Sequence, residues 1–132
     1  MMVEFSLLVT ALLFGGMVLY SFGFAAFVFT ALPAETAGPL IRRAFPHFYL
    51  FVLAASVIAA VGTVSDDWIS AGIMAAIAVT VVFARQVLMP AINAATDAGA
   101  KTRFKTLHTT SVLISLGNIA GAAIALLRLA AI

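Results

Sequence analysis

The sequence predicts an all-α polytopic membrane protein, with four transmembrane helices in an up-down-up-down bundle, and three observations predict it. Hydrophobic residues fill 64% of the 132 positions and charged residues only 9%, against ~45–50% and ~25% in soluble domains. The mean hydropathy of +1.20 is more apolar surface than a small water-soluble fold is able to hide, because small domains bury the smallest share of their surface. Finally, the apolar residues form four runs separated by short polar breaks, each near the ~20 residues that cross a bilayer. One transmembrane domain, 1–132, accounts for the chain.

The first span is expected over about 5–32, closed by Pro33. Its start, Met1-Met2-Val3-Glu4, has no basic region, and the apolar stretch outlasts the ~7–15 residues of a signal-peptide core. It reads as a retained helix. The following linker, Ala34 to Ala44, is long enough for a short amphipathic helix at the interface. Phe45-Pro46 opens the second span, 45–64, since proline suits a first helical turn. Ser65-Asp66-Asp67 makes a turn whose carboxylates cap the third span, 68–92, which begins with the interfacial aromatic Trp68. A polar stretch from Asn93 to Lys105 precedes the fourth span, 106–129.

Charge sets the expected orientation. Arg42, Arg43, Lys101, Arg103 and Lys105 fall in the two linkers that share one side, whereas the other side holds Arg128 with Asp66 and Asp67. The positive-inside bias therefore places these linkers in the cytoplasm and both termini outside it. A bacterial inner (plasma) membrane is the expected location. The net charge of +2 lies in these loops, where it meets lipid headgroups; the basic loop Lys101 to Lys105 lacks the size and aromatic interleaving of a nucleic-acid site. The absence of cysteine excludes disulfides, thiol nucleophiles and thiolate-held metals.

Small residues at helical spacing are expected to form packing seams, because helices in lipid associate through close approach and occasional hydrogen bonds. In the first helix the stripe is Gly16, Tyr20, Gly23, Phe27 and Thr30; in the fourth it is His108, Ser111, Ser115, Asn118 and Ala122.

The up-and-down order brings Glu35, Arg42, Arg43, His47, Arg85, Asn93 and His108 to one mouth. Asn118 lies ten residues beyond His108, about 15 Å deeper. Glu35, Arg85, His108, Ser111, Ser115 and Asn118 thus form an expected polar membrane cluster, and ionisable residues inside a span default to functional hypotheses. Arg85 reads as a snorkelling anchor, or as an ion-pair partner of Glu35 or Asp97, or as a clamp for an anion or headgroup. His47 and His108, at matching depth, are the candidate cofactor ligands: two imidazoles from different helices are able to hold a haem axially, against the alternative of interfacial or hydrogen-bonded bundle residues. Met17, Met74 and Met89 match copper(I) chemistry but equally fill cores. Phosphate-binding glycine loops, dinucleotide fingerprints and nucleophile elbows are absent. No catalytic residue and no metal centre are expected.

The chain resembles the transmembrane protein 205-like family. The likeness rests on Gly15, Phe29-Thr30-Ala31-Leu32-Pro33, Thr36, Gly38 and Phe45-Pro46, then Ala84-Arg85 and Pro90, then Phe104, His108 and Ser111. The family's asparagine stands about where Ser115 does; here the asparagine is Asn118, and the third linker is short. The resemblance implies a four-helix membrane protein without an established activity, linked in eukaryotes to drug and metal resistance. A looser likeness joins it to copper-resistance and haem-binding four-helix bundles.

Three functions follow as expectations. The first is a non-enzymatic accessory or structural subunit of a larger membrane assembly, whose partners are membrane lipid and other membrane-protein subunits or further copies of itself. The second is transport of a small solute or metal ion, and the third a haem-binding or redox module.

Overall fold

Four rods of 30 residues each make up the molecule: α1 (Met2–Ala31), α2 (Ala34–Thr63), α3 (Trp68–Asp97) and α4 (Lys101–Ala130). The computed structural model describes residues 1–132 and holds no strand. Each rod is apolar and long enough to cross a membrane. Alternate helices run in opposite directions. α1 packs on α2 and α4, and α3 packs on α2 and α4, so α1 and α3 face each other across one diagonal and α2 and α4 across the other. The centre is filled by Leu13 and Met17 from α1, Val52 and Ala59 from α2, Met74, Ile77 and Val81 from α3, and Ala122 and Ala125 from α4.

Connections between the rods are minimal. Leu32 and Pro33 join α1 to α2, and Val64 to Asp67 join α2 to α3. Ala98, Gly99 and Ala100 join α3 to α4. Gly99 adopts φ +66°, which only glycine enters without cost. Its N–H donates to the Thr96 carbonyl at 3.1 Å and that of Ala100 to the Ala95 carbonyl at 2.9 Å, the two bonds that close a helix in a Schellman turn.

Several expected boundaries differ. No separate interfacial helix precedes the second span: α2 starts at Ala34 and runs through Pro39 and Pro46. Each proline removes one i→i−4 donor, which strands the carbonyls of Glu35 and Arg42. Both belong to exposed residues in the part of α2 nearest the basic rim, where water is available as a donor. Likewise the polar stretch from Asn93 to Lys105 is helical apart from Ala98 to Ala100. A rod of 30 residues is about 45 Å long against about 30 Å of hydrocarbon. All four helices therefore outreach the apolar layer, and the surplus carries the basic residues.

The expected seam on the first helix is also displaced. Its buried face is Ser6, Thr10, Leu13, Met17 and Val28, while Gly23, Phe27 and Thr30 are exposed. The cause is a π-helical turn over Leu19–Phe24. One extra residue in a turn shifts the phase of everything after it, so a strict heptad count fails beyond Tyr20. On α4 the seam holds at its deeper end, with Asn118 and Ala122 buried, but His108 is exposed.

The end opposite the basic rim is pinned by one carboxylate. Asp67 caps α3, accepting from the Ile69 N–H at 3.2 Å and the Ser70 hydroxyl at 2.6 Å. Arg128 closes on it from α4 as a fork, Nε to Oδ2 at 2.8 Å and Nη2 to Oδ1 at 2.9 Å. The guanidinium, then the Ser70 hydroxyl, hold the Asp67 carboxyl well below the usual carboxylate range. A depressed folded-state value means stability that is complete above the unfolded value of about 3.9 and lost as pH falls through the folded one. The thermal midpoint in detergent is thus expected to fall with Asp67→Asn at pH 7. The gap from the native chain should narrow below about pH 4, and a gap independent of pH would show that the fork carries no linked proton.

Candidate functional site

A polar seam runs down the bundle interior toward the basic end. Asn118, on the buried face of α4, places Oδ1 3.0 Å from the Thr80 hydroxyl of α3. That hydroxyl also lies 2.9 Å from the Ile77 carbonyl. It has one proton to give, and an Asn118 amide turned end for end would donate to Thr80 and leave the Ile77 bond intact. One turn above, Ser115 joins Asn118, Tyr49 and Ser21 around a cavity of about 10 Å³, closed by Met17, Phe48, Val52 and Val81. That is the room a single water needs. The Tyr49 hydroxyl faces Ser111, another turn up α4. All four helices contribute, and the seam is narrow because large apolar side chains fill the space around it.

Aromatic rings roof the seam. Tyr20 of α1 stacks flat on Phe48 of α2 with centroids 4.5 Å apart, and Phe45 meets both edge-on at 5.5 Å. The π-helical turn of α1 carries Tyr20 into this cluster.

Arg85 stands at the same level on α3, in a second π-helical turn over Ala84–Leu88. It lies 17 residues from Trp68, so about 25 Å along the axis, close to the rim-side edge of a ~30 Å hydrocarbon layer. Its half-buried guanidinium donates from Nε to the Pro46 carbonyl of α2 at 3.3 Å, and from Nη1 to the Gln86 side chain at 2.8 Å. Neither expected carboxylate partner is bound. Asp97 is engaged by Arg42 as a fork at 2.8 and 2.9 Å. The physical reason is reach: Asp97 lies 12 residues along α3, about 18 Å away. Glu35 is exposed in the first turn of α2, 11 residues above Pro46, about 16 Å too high.

The two histidines occupy outer surfaces. His47 is exposed and lines a 270 Å³ groove between α1 and α2 with Gly16, Leu19, Tyr20, Phe48 and Phe51. His108 is exposed on α4, its ring stacked on Phe104 at 5.4 Å. The pairings of Arg85 with Pro46 and of Thr80 with Asn118 set the register of the helices, and by that register His108 lies about 9 Å nearer the basic rim than His47. α2 and α4 also stand across a diagonal, so the two imidazoles are not opposed over a common space. Met17 and Met74 are buried core residues.

Of the expected cluster, then, Ser111, Ser115 and Asn118 share one stripe of α4, with Ser115 and Asn118 on a common cavity, whereas Arg85 is held on the α2 side of α3 by the Pro46 carbonyl, and Glu35 and His108 stand apart. Thr80, Tyr49 and Gln86 belong to the arrangement without having been singled out from sequence. Thr80 did leave a signal, as the only polar side chain between Ser70 and Arg85.

A family model described as a domain of unknown function (DUF4149) matches residues 8–101. Neither curated proteins nor solved structures give a match.

Proposed function

The chain belongs to the DUF4149 family, a domain of unknown function, and from that premise we propose that it is an accessory subunit of a membrane assembly, without catalysis of its own. One observation carries the reading. Gly15, Gly72 and Gly117 stand exposed on the outer faces of α1, α3 and α4, and a Cβ at any of them would meet nothing within 4 Å. Glycine weakens a helix by about 1 kcal/mol relative to alanine. In lipid its benefit is to let a second helix approach the backbone closely, and these three have no such neighbour within the chain. The filled interior agrees, since a bundle whose central cavity has room for only one water offers no pathway of its own. Transport and haem binding find less support in these positions.

Two finer readings belong with it. The likeness to the transmembrane protein 205-like proteins is supported by position, because its residues from Gly15 to Pro90 fall inside the matched stretch. The orientation with the basic rim in the cytoplasm and both termini outside, in a bacterial inner membrane, is supported by the charge count.

The test is native mass measurement after extraction in mild detergent. A partner or a second copy is expected to co-purify, and Gly15→Leu or Gly117→Leu should release it at least tenfold without lowering the melting temperature. A native chain that runs as a lone monomer with lipid alone would overturn the proposal.

A further inference from the structure

We propose that the outer groove between α2 and α3 at the basic end seats one phospholipid with an anionic headgroup, its phosphate gripped by Arg85 and Arg43. Arg85 uses two of its five N–H donors, on the Pro46 carbonyl and the Gln86 side chain. No carboxylate bridges it, although it stands just inside the apolar layer, where an unbalanced charge is expensive. Arg43 is exposed and equally free of a carboxylate. It lies three residues before Pro46 on the same flank of α2, about 4.5 Å nearer the water. Two cations at adjacent depths with no anion between them complement a phosphodiester, which takes a guanidinium fork in two parallel hydrogen bonds.

Below them the groove is apolar. Four and eleven residues beyond Pro46, α2 presents Leu50 and Val57; three and ten before Arg85, α3 presents Val82 and Ala75. These spacings keep each pair on the flank of its own helix that carries the cation, and all four side chains are exposed. A headgroup held at the rim would lay an acyl chain along them toward the bilayer centre. The lipid source rather than a free phosphate is favoured by this apolar continuation, and an anionic lipid rather than a zwitterionic one by the two uncompensated charges.

The inference is separable from the accessory-subunit reading, whose test substitutions, at Gly15 and Gly117, lie on α1 and α4. Its test is lipid retention by native mass spectrometry in a neutral detergent, with phosphatidylglycerol and phosphatidylcholine of equal chain length titrated against the full chain. Phosphatidylglycerol is expected to bind about tenfold more tightly, and Arg85→Ala to remove about that factor. Arg43→Ala should remove about fivefold, and Arg103→Ala, a rim cation on α4, nothing. Arg85→Lys keeps the charge without the fork and should fall between; with the thermal midpoint of each variant alongside, a loss that reflects misfolding is recognised. Equal affinity for the two lipids would overturn the proposal. So would unchanged retention in Arg85→Ala, or full displacement by glycerol 3-phosphate, which would assign the site to a free phosphate. Loss of a co-purified protein from Arg85→Ala with lipid retained would assign the charge to a partner carboxylate, and also overturn it.

Discussion

Gly62→Leu is expected to prevent α1 and α2 from closing at the end opposite the basic rim, and to lower unfolding free energy in detergent by about 3 kcal/mol or more. Ser6 is 0% exposed, and its hydroxyl stands where a side chain on Gly62 would begin. The Met2 sulfur is 3.7 Å from the same point, so a branched side chain has nowhere to turn without prising the helices apart. Gly62→Ala should cost less, about 1 kcal/mol, because the hydroxyl is able to rotate away. Ser6→Ala should then recover most of that loss. The Ser6 hydroxyl has no hydrogen-bond partner, so its removal forfeits little, and the Cβ atoms would meet at an ordinary 3.6 Å. A coupling of about 1 kcal/mol in this double-mutant cycle is the predicted signature. Additive losses, or a Gly62→Leu chain that melts like the native one, would show that the two helices do not meet as described.

Leu13→Ala carries the second large effect. Leu13 is 0% exposed at the centre of the bundle. In a soluble protein its loss would combine a transfer from water with a cavity. Here the helices separate into lipid or detergent rather than water, so the cavity remains as the main cost, about 1–3 kcal/mol. Leu8, on the same helix but 70% exposed, is the internal control: acyl chains refill the space and Leu8→Ala should be close to silent. Equal losses at the two positions, measured by denaturant titration in mixed micelles, would mean that solvophobic transfer rather than packing holds the bundle together.

The number of helices and their order were legible because four long apolar runs leave no other solution in lipid. Helix ends were not. Pro46 read as a helix start and the polar residues around Lys101 as a break, yet at the rim water is available to the carbonyls a proline leaves free, so a rule that holds inside hydrocarbon loses its force there. The two π-helical turns have no sequence signature, and they decide the site. That in α1 displaces the counted stripe after Tyr20, and that in α3 carries Arg85 and Gln86. The interior partners Ser111, Ser115 and Asn118 were legible as a helical stripe on α4. The pairing of Asp97 with Arg42 was not, because spacing along one chain does not show which of several cations a second helix brings nearest. Axial distance alone would have excluded Asp97 for Arg85.

The connections of two to four residues between rods leave almost no flexible segment on either side of the membrane. Proteases added to intact vesicles would find little to cut between the termini, and each adjacent pair of helices would enter the bilayer as a single hairpin. Any factor that recognises this protein from water must therefore grip protruding helical stubs rather than loops, and an epitope inserted internally is best tolerated beside Gly99.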